Sequence, residues 1–197
     1  MRGSYERQEA EGLRSLLVPS DRVLEFGSGL GVIACIAGRS ASDVLSFEAN
    51  PRLVERAEAN LALNGIRNVA VRSGVVGHQA GTATFRVEAD FWSSALGTAS
   101  AGEDSIAVEV HALSAVLETF RPTVVVMDIE GGEYELLGDP AWMAYAGLRG
   151  VLVELHDVGG DALDRLLASW SADRPVEAIR AEFARFLNCT VALKRTA

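Results

Sequence analysis

The chain has 197 residues, of which 49% are hydrophobic and 23% are charged, and its formal net charge is −9. Its size and composition fit one globular domain with a substantial core, which we expect to span residues 1–197. The negative charge argues against sequence-independent binding to nucleic acid, which needs a basic face. We find no apolar run that could cross a bilayer, no signal-peptide core and no disulfide framework, so we expect a cytoplasmic chain without membrane contacts.

Strand-like apolar segments alternate with helix-like segments along the chain, after an N-terminal helical segment at residues 1–20. The predicted strands are Val23–Phe26, Val44–Ala49, Asn68–Gly74, Gly81–Ala89, Ile106–Val110, Thr123–Ile129, Gly150–His156, Pro175–Arg180 and Thr190–Arg195. The predicted helices are Leu30–Arg39, Pro51–Gly65, Ala112–Phe120 and Asp161–Trp170. This alternation predicts an α/β fold, with a doubly wound, mainly parallel seven-stranded sheet covered by helices on both faces. We interpret residues 75–110 as an insertion that forms a hairpin and a flap.

Three glycines stand at alternating positions directly after the first strand, as Gly27, Gly29 and Gly31. In a doubly wound sheet, the turn after the first strand brings the backbone close to a ligand at the carboxyl ends of the strands. We expect Gly27 and Gly29 to leave room for that ligand, and Gly31 to let the following helix pack tightly. A tight turn that binds nothing is the alternative.

Two acidic residues near this turn indicate which ligand it holds. Glu48 ends the second strand, where a nucleoside needs an acceptor for its ribose hydroxyls, although it could instead be an acid that caps the next helix. A dinucleotide site would require Gly or Ala at the position of Val32. Glu25 would repel a pyrophosphate but would favour a positively charged amino group or sulfonium. The pattern therefore favours S-adenosylmethionine over NAD.

A second group of polar residues follows two later strands. Asp128, Glu130 and Glu133 lie at and just after the end of the apolar run Val124–Met127, and Glu154 and His156 lie at the end of the next strand. Such groups in a cleft could orient a substrate, remove a proton or bind a metal. Alternatively, Glu130 and Glu133 interact with a helix dipole and His156 is a core histidine. We predict no metal, because no local spacing supports a site built from Asp128, Glu154 and His156.

The chain resembles the FkbM-type, class I S-adenosylmethionine-dependent methyltransferases. The resemblance rests on the ExGxGxG run Glu25–Gly31, the acidic run Phe47–Pro51, a DxEGxE signature within Val124–Leu137, a Ser-Ser loop at Asp90–Leu96, and the late strand Gly150–His156. It implies S-adenosyl-L-methionine as the cofactor and methyl transfer, commonly to a hydroxyl oxygen. We therefore predict O-methylation of a small-molecule or sugar-like acceptor. An NAD-dependent oxidoreductase and a non-catalytic cofactor-binding partner subunit are the alternatives, and a homodimer is one option for the assembly.

The predicted site residues fall into three groups. The catalytic residues are Asp128, Glu130 and His156. The cofactor-binding residues are Glu25, Gly27, Gly29, Gly31, Glu48, Ala49 and Val75, of which Val75 is expected to flank the adenine. The substrate-binding residues are Trp92, Ser93, Ser94, Glu133 and Glu154. The alternative for Trp92 is a tryptophan that covers the edge of the sheet.

Overall fold

A central sheet organises the structure, which is a computed structural model that describes residues 7–86, 105–129, 131–156, 176–183 and 189–195. The strands in chain order are β1 (Arg22–Phe26), β2 (Asp43–Glu48), β3 (Val69–Ser73), β4 (Val75–Gly77), β5 (Gly81–Arg86), β6 (Ser105–Ala112), β7 (Val124–Met127), β8 (Gly150–Leu155), β9 (Val176–Phe183) and β10 (Cys189–Arg195). Within the described residues, seven of them form one sheet in the order β3-β2-β1-β7-β8-β10-β9.

The central sheet is mainly parallel, as predicted. β3, β2, β1, β7 and β8 run parallel to their neighbours, whereas β10 lies antiparallel between β8 and β9. The sheet order reverses at β1, because β2 lies on one side of it and β7 on the other. Open sheets of this kind bind ligands at the carboxyl ends of the strands beside such a reversal. The predicted fold class is confirmed.

Helices cover the sheet. They are α1 (Arg7–Leu16), α2 (Val32–Ser40), α3 (Pro51–Leu63), α4 (Leu113–Phe120), α5 (Glu133–Leu137) and α6 (Ala141–Ala144). α3 begins where its sequence predicts, because Pro51 occupies the first turn and the Asn50 side chain accepts a hydrogen bond from the Arg52 amide. The predicted helix Asp161–Trp170 lies outside the described residues. Among the helices that the structure describes, none is both long and apolar enough to pass through a membrane.

The two faces of the sheet pack into separate hydrophobic clusters. Val23, Val44 and Leu152 pack with residues of α1 and α2, whereas Leu24, Phe47 and Val153 pack on the opposite face with residues of α4, α5 and α6. Because side chains alternate along a strand, β1 and β8 place Glu25 and Glu154 on the face of α1 and α2. Polar groups therefore replace apolar ones on that face, near the carboxyl ends of the strands.

A smaller sheet contains part of the predicted insertion. β5 and β6 pair antiparallel, with Gly81 opposite Val110 and Arg86 opposite Ser105, and β4 pairs parallel to β6. The sequence did not predict β4, which has only three residues. The predicted flap residues Trp92, Ser93 and Ser94 lie outside the described residues.

Candidate functional site

The glycine-rich turn after β1 adopts a backbone conformation that favours glycine. Gly27, Gly29 and Gly31 all have positive φ angles, of 87°, 51° and 78°. The amides of Gly27 and Ser28 both donate to the carbonyl of Phe47, at 2.9 and 3.2 Å, which fixes the turn to the end of β2. The turn thus lies at the carboxyl edge of the sheet, beside the reversal in strand order.

The three glycines have different surroundings. A Cβ on Gly27 would lie 1.7 Å from the carbonyl oxygen of Asp128, so this glycine allows two backbone segments to meet. A Cβ on Gly31 would lie 3.0 Å from Cβ of Ala57, which agrees with the expected close packing of a helix. A Cβ on Gly29 would meet no atom within 4 Å. The expectation that Gly27 spares space for a ligand therefore needs correction, because protein backbone fills that space; Gly29 borders open space.

Glu48 is held at the end of β2 with its carboxylate next to this turn. Its Oε2 accepts a hydrogen bond from the Gly29 amide and its Oε1 from the Asn50 amide, both at 2.8 Å. Burial raises the pKa of Glu48 above its ordinary value, although the Asn50 and Gly29 amides partly oppose this shift. Each carboxylate oxygen can accept further hydrogen bonds. Asn50, rather than Glu48, provides the side-chain cap of α3.

Glu25 and two apolar residues complete the neighbourhood of the turn. Glu25 is 1% exposed, and its Oε2 accepts a hydrogen bond from the Ser46 hydroxyl on the adjacent strand. Ala49 belongs to a small apolar cluster with Phe85 and Val108, against which Val75 packs. The predicted cofactor residues Ala49 and Val75 therefore pack in one cluster, although Ala49 follows β2 and Val75 begins β4, which belong to different sheets.

The second polar group converges at the ends of β7 and β8. Nε2 of His156 lies 3.8 Å from Oδ1 of Asp128 and 3.9 Å from Oε1 of Glu154. Nδ1 of the same ring lies 2.9 Å from Oε1 of Glu133. The structure thus brings together four of the five residues that the sequence singled out here. The fifth, Glu130, lies outside the described residues.

Glu133, the partner of His156 Nδ1, is a buried residue. The side chain of Glu133 is fully buried, and Oε1 also accepts a hydrogen bond from the Gly131 amide at 2.9 Å. Burial alone would raise the pKa of Glu133, but His156 and the backbone amides hold it below its ordinary value. The predicted substrate contact of Glu133 therefore needs correction, because its side chain has no exposed surface and its carboxylate instead forms a hydrogen bond with His156.

The comparisons with known proteins identify the family. The sequence model of the "Methyltransferase FkbM domain" matches residues 32–172, which is more than half of the chain. The chain belongs to the FkbM family of class I S-adenosylmethionine-dependent methyltransferases. The family and the fold imply S-adenosyl-L-methionine as the cofactor, as predicted, and the NAD-dependent alternative is no longer needed.

Relatives of this FkbM-family chain match it over short segments. It is 45% identical to a protein-L-isoaspartate O-methyltransferase of Rhizobium meliloti over 56 residues, which cover 28% of each chain. It is 36% identical to a ribosomal protein L11 methyltransferase of Thermus thermophilus over 61 residues, or 31% of this chain and 24% of the relative. The chain therefore aligns with less than a third of the length of these relatives.

Solved structures resemble the FkbM-family chain over its full length. An rRNA methylase from Streptococcus thermophilus superposes with a TM-score of 0.58 at 12% identity, covering 100% of this chain and 99% of the other. Trm5b from Pyrococcus abyssi gives a TM-score of 0.60 at 12% identity, covering 100% of this chain and 51% of the other. At this level of identity the likeness concerns the fold alone.

Two further residues of the FkbM-family chain lie near the site, although the sequence analysis predicted no site role for them. The ring of His111 packs on Phe47 with ring centroids 5.0 Å apart, and its Nε2 has no hydrogen-bond partner among the described residues. Ser28, within the glycine-rich turn, is 3% exposed, and its hydroxyl likewise has no partner among them. The position of Ser28 in the turn could have drawn attention to it. No local pattern marks His111.

Proposed function

We propose that this chain transfers a methyl group from S-adenosylmethionine to a hydroxyl oxygen of a small-molecule or sugar-like acceptor. The observation that carries the proposal is the His156–Glu133 pair, which lies at the carboxyl edge of the sheet. Asp128, which lies near His156, contacts Gly27 through its carbonyl oxygen, so the pair lies close to the glycine-rich turn. A proton-accepting group and a cofactor cradle are therefore adjacent.

The residues around the turn fit the cofactor. Gly29 borders open space, and the neighbouring Glu48 carboxylate has capacity left for the two ribose hydroxyls. Ala49 and Val75 offer apolar surface for the adenine. In its ionised form, Glu25 of β1 would favour the cationic groups of the methionine moiety. When bound, the cofactor supplies an electrophilic methyl group on a sulfonium.

The residues at the ends of β7 and β8 fit the removal of a hydroxyl proton. The Glu133 carboxylate accepts a hydrogen bond from Nδ1–H of His156, so in the neutral ring Nε2 carries the lone pair that can take the proton of the acceptor hydroxyl. The acceptor oxygen forms the bond to the methyl carbon while the carbon–sulfur bond breaks, and the proton stays on Nε2. Asp128 and Glu154, 3.8 and 3.9 Å from Nε2, stabilise the imidazolium that results. We expect Glu130 to help orient the acceptor.

The charge of the chain supports a small acceptor. A net charge of −9, together with three carboxylates around His156, opposes the approach of a phosphate-rich nucleic acid. The relatives and solved structures named above include a protein-L-isoaspartate O-methyltransferase, a ribosomal protein methyltransferase and an rRNA methylase. Panels of all three acceptor classes therefore belong in the same assay.

The decisive experiment measures transfer of labelled methyl from S-adenosylmethionine to panels of hydroxylated small molecules, proteins and rRNA, with His156→Asn beside the wild type. We expect His156→Asn to lower turnover by roughly 10²–10⁴-fold while the affinity for S-adenosylhomocysteine stays the same. His78→Asn is the matched control, because His78 is 62% exposed and pairs with Asp139 rather than with the site. If wild-type chain binds cofactor but methylates no acceptor class, the non-catalytic alternative replaces this proposal.

A further inference from the structure

We propose that Asp128, Glu154 and His156 form a binding site for a divalent transition-metal cation. The inference deepens the proposed function and rests on it in one respect, namely that the cluster opens into the cleft that receives the acceptor. The binding itself follows from the geometry of the described residues. The sequence analysis considered a metal site at these three residues and predicted none, because they have no local metal-site spacing.

The distances between the three side chains suit a bridging cation better than direct hydrogen bonds. Nε2 of His156 lies 3.8 Å from Asp128 Oδ1 and 3.9 Å from Glu154 Oε1, and one ligand atom from each residue lies within 4.8 Å of the others. Both gaps from Nε2 exceed a hydrogen bond. Ligand atoms bound to one cation at about 2.1 Å stand roughly 3–4.2 Å apart. Movements of a few tenths of an ångström would therefore complete the coordination.

Glu133 provides an independent observation that points to a ligand at this position. Its fully buried carboxylate accepts from Nδ1 of His156 at 2.9 Å. Metal-bound histidines commonly donate their second ring N–H to a carboxylate in this way, which fixes the ring and directs the other nitrogen at the metal. Here the other nitrogen is Nε2, which faces Asp128 and Glu154. In addition, Glu133 Oε2 has no hydrogen-bond partner among the described residues. Burying an unpaired carboxylate oxygen costs free energy. The hydrogen bond by which Glu133 orients His156 accounts for a carboxylate at this buried position.

The donor set indicates which cations fit. One imidazole nitrogen and two carboxylate oxygens, from side chains that are 12%, 36% and 21% exposed, suit Mn²⁺ or Zn²⁺ better than softer cations or cations that bind only oxygen ligands. A cation at this position and a proton on Nε2 exclude each other. A bound cation would therefore take over from His156 the task of making the acceptor hydroxyl more acidic.

Direct titration of the metal-stripped chain with Mn²⁺, followed by electron paramagnetic resonance of the free ion, tests the inference without cofactor or acceptor. We expect one Mn²⁺ per chain, with affinity at least tenfold lower in Asp128→Asn and in Glu154→Gln. Glu133→Gln, a change at a positioning residue, should weaken binding by roughly 10–100-fold. Glu109→Gln is the control, because Glu109 lies 3.6 Å from another histidine, His111, and is 69% exposed.

The outcomes separate this inference from the proposed function. Absence of Mn²⁺ binding, or binding that Asp128→Asn and Glu154→Gln leave unchanged in folded protein, overturns the cation site. If the chain then still methylates a hydroxyl and loses that activity in His156→Asn, the proposed function stands without the cation. Conversely, site-dependent Mn²⁺ binding in a chain that methylates nothing supports the cation site and refutes the proposed function.

Discussion

The carbonyl oxygen of Asp128 lies 1.7 Å from the point that a Cβ on Gly27 would occupy. Gly27 also has a φ of 87°, and the Asp128 amide donates to the carbonyl of Phe26 at 3.0 Å. The glycine-rich turn and the acidic residue after β7 are therefore in backbone contact. A side chain at position 27 would push apart the two strands that carry the candidate site.

Gly27→Ala should lower the free energy of unfolding by about 3 kcal/mol, because it combines a positive φ with overlap against backbone that has no room to move. Chemical denaturation measures this loss. Gly65→Ala is the control, because Gly65 has a φ of 68° and a Cβ there would meet nothing within 4 Å. It should cost only about 1 kcal/mol. Equal losses in the two variants would contradict the close contact with Asp128.

Gly29→Val should abolish cofactor binding without removing the fold. The side chain would enter the open space that we assign to the cofactor, and a β-branched residue is strained at a φ of 51°. Gly65→Val carries a similar backbone strain on the opposite edge of the sheet and should retain cofactor affinity. Calorimetric titration with S-adenosylhomocysteine compares the two. Near-normal affinity in Gly29→Val would show that the turn is not the cofactor cradle.

Glu48→Gln should weaken cofactor binding by roughly 1.5–3 kcal/mol, the range for hydrogen bonds to a charged group. Glu58→Gln, an exposed change on α3, should leave it unaltered. Because burial raises the pKa of Glu48, wild-type affinity should decline with falling pH sooner than an ordinary glutamate would predict. The Glu48→Gln variant should lack that decline. A parallel pH dependence in both proteins would remove Glu48 from the ribose site.

Asp21→Asn should destabilise the fold at neutral pH by about 3 kcal/mol, because it removes the partner of a partly buried guanidinium. Burial alone would raise the pKa of Asp21, but Arg149, the Val18 amide and Thr123 together hold it below its ordinary value. A lowered folded-state pKa stabilises the fold above the unfolded pKa of about 3.9, and the gain is lost as pH falls through the folded value.

The difference in stability between Asp21→Asn and the wild type should therefore shrink in acid, as denaturation at several pH values would measure. Asp43→Asn is the control, because Asp43 pairs with Arg22 at 3.0 Å with 42% of its side chain exposed. Such a surface pair contributes at most about 1 kcal/mol. A difference for Asp21→Asn that stays constant down to pH 3 would mean that the charge of Asp21 contributes nothing.

Local sequence patterns predicted most of the elements because their causes are local. Runs such as Val124–Met127 are buried on both faces and therefore lack polar positions. Pro51 and Asn50 mark the start of α3 by their own conformational preferences. β4 was missed because three residues carry no measurable alternation.

The details of the site depended on contacts that no local pattern encodes. The proximity of Gly27 and Asp128 follows from the pairing of β1 with β7, and the packing of His111 on Phe47 joins two sheets. The sequence suggested that Glu133 and His156 share one edge, but only the fold reveals that Glu133 is fully buried and lies 2.9 Å from Nδ1 of the ring. Sequence reasoning therefore located the candidate residues, whereas the division of roles among them required the structure.

We expect the pairing of β1 with β7 to set when a chain under synthesis becomes able to bind cofactor. The segment from β1 to β3 leaves the ribosome early and already contains Gly29 and Glu48. The glycine-rich turn lacks its neighbour until β7 and Asp128 have emerged and docked against β1. Non-local pairings of this kind form late because the intervening chain must first be closed into a loop. A nascent chain that stops at the end of α4 should therefore contain Gly29 and Glu48 but bind no cofactor. Cofactor binding would then show that β7 has paired with β1.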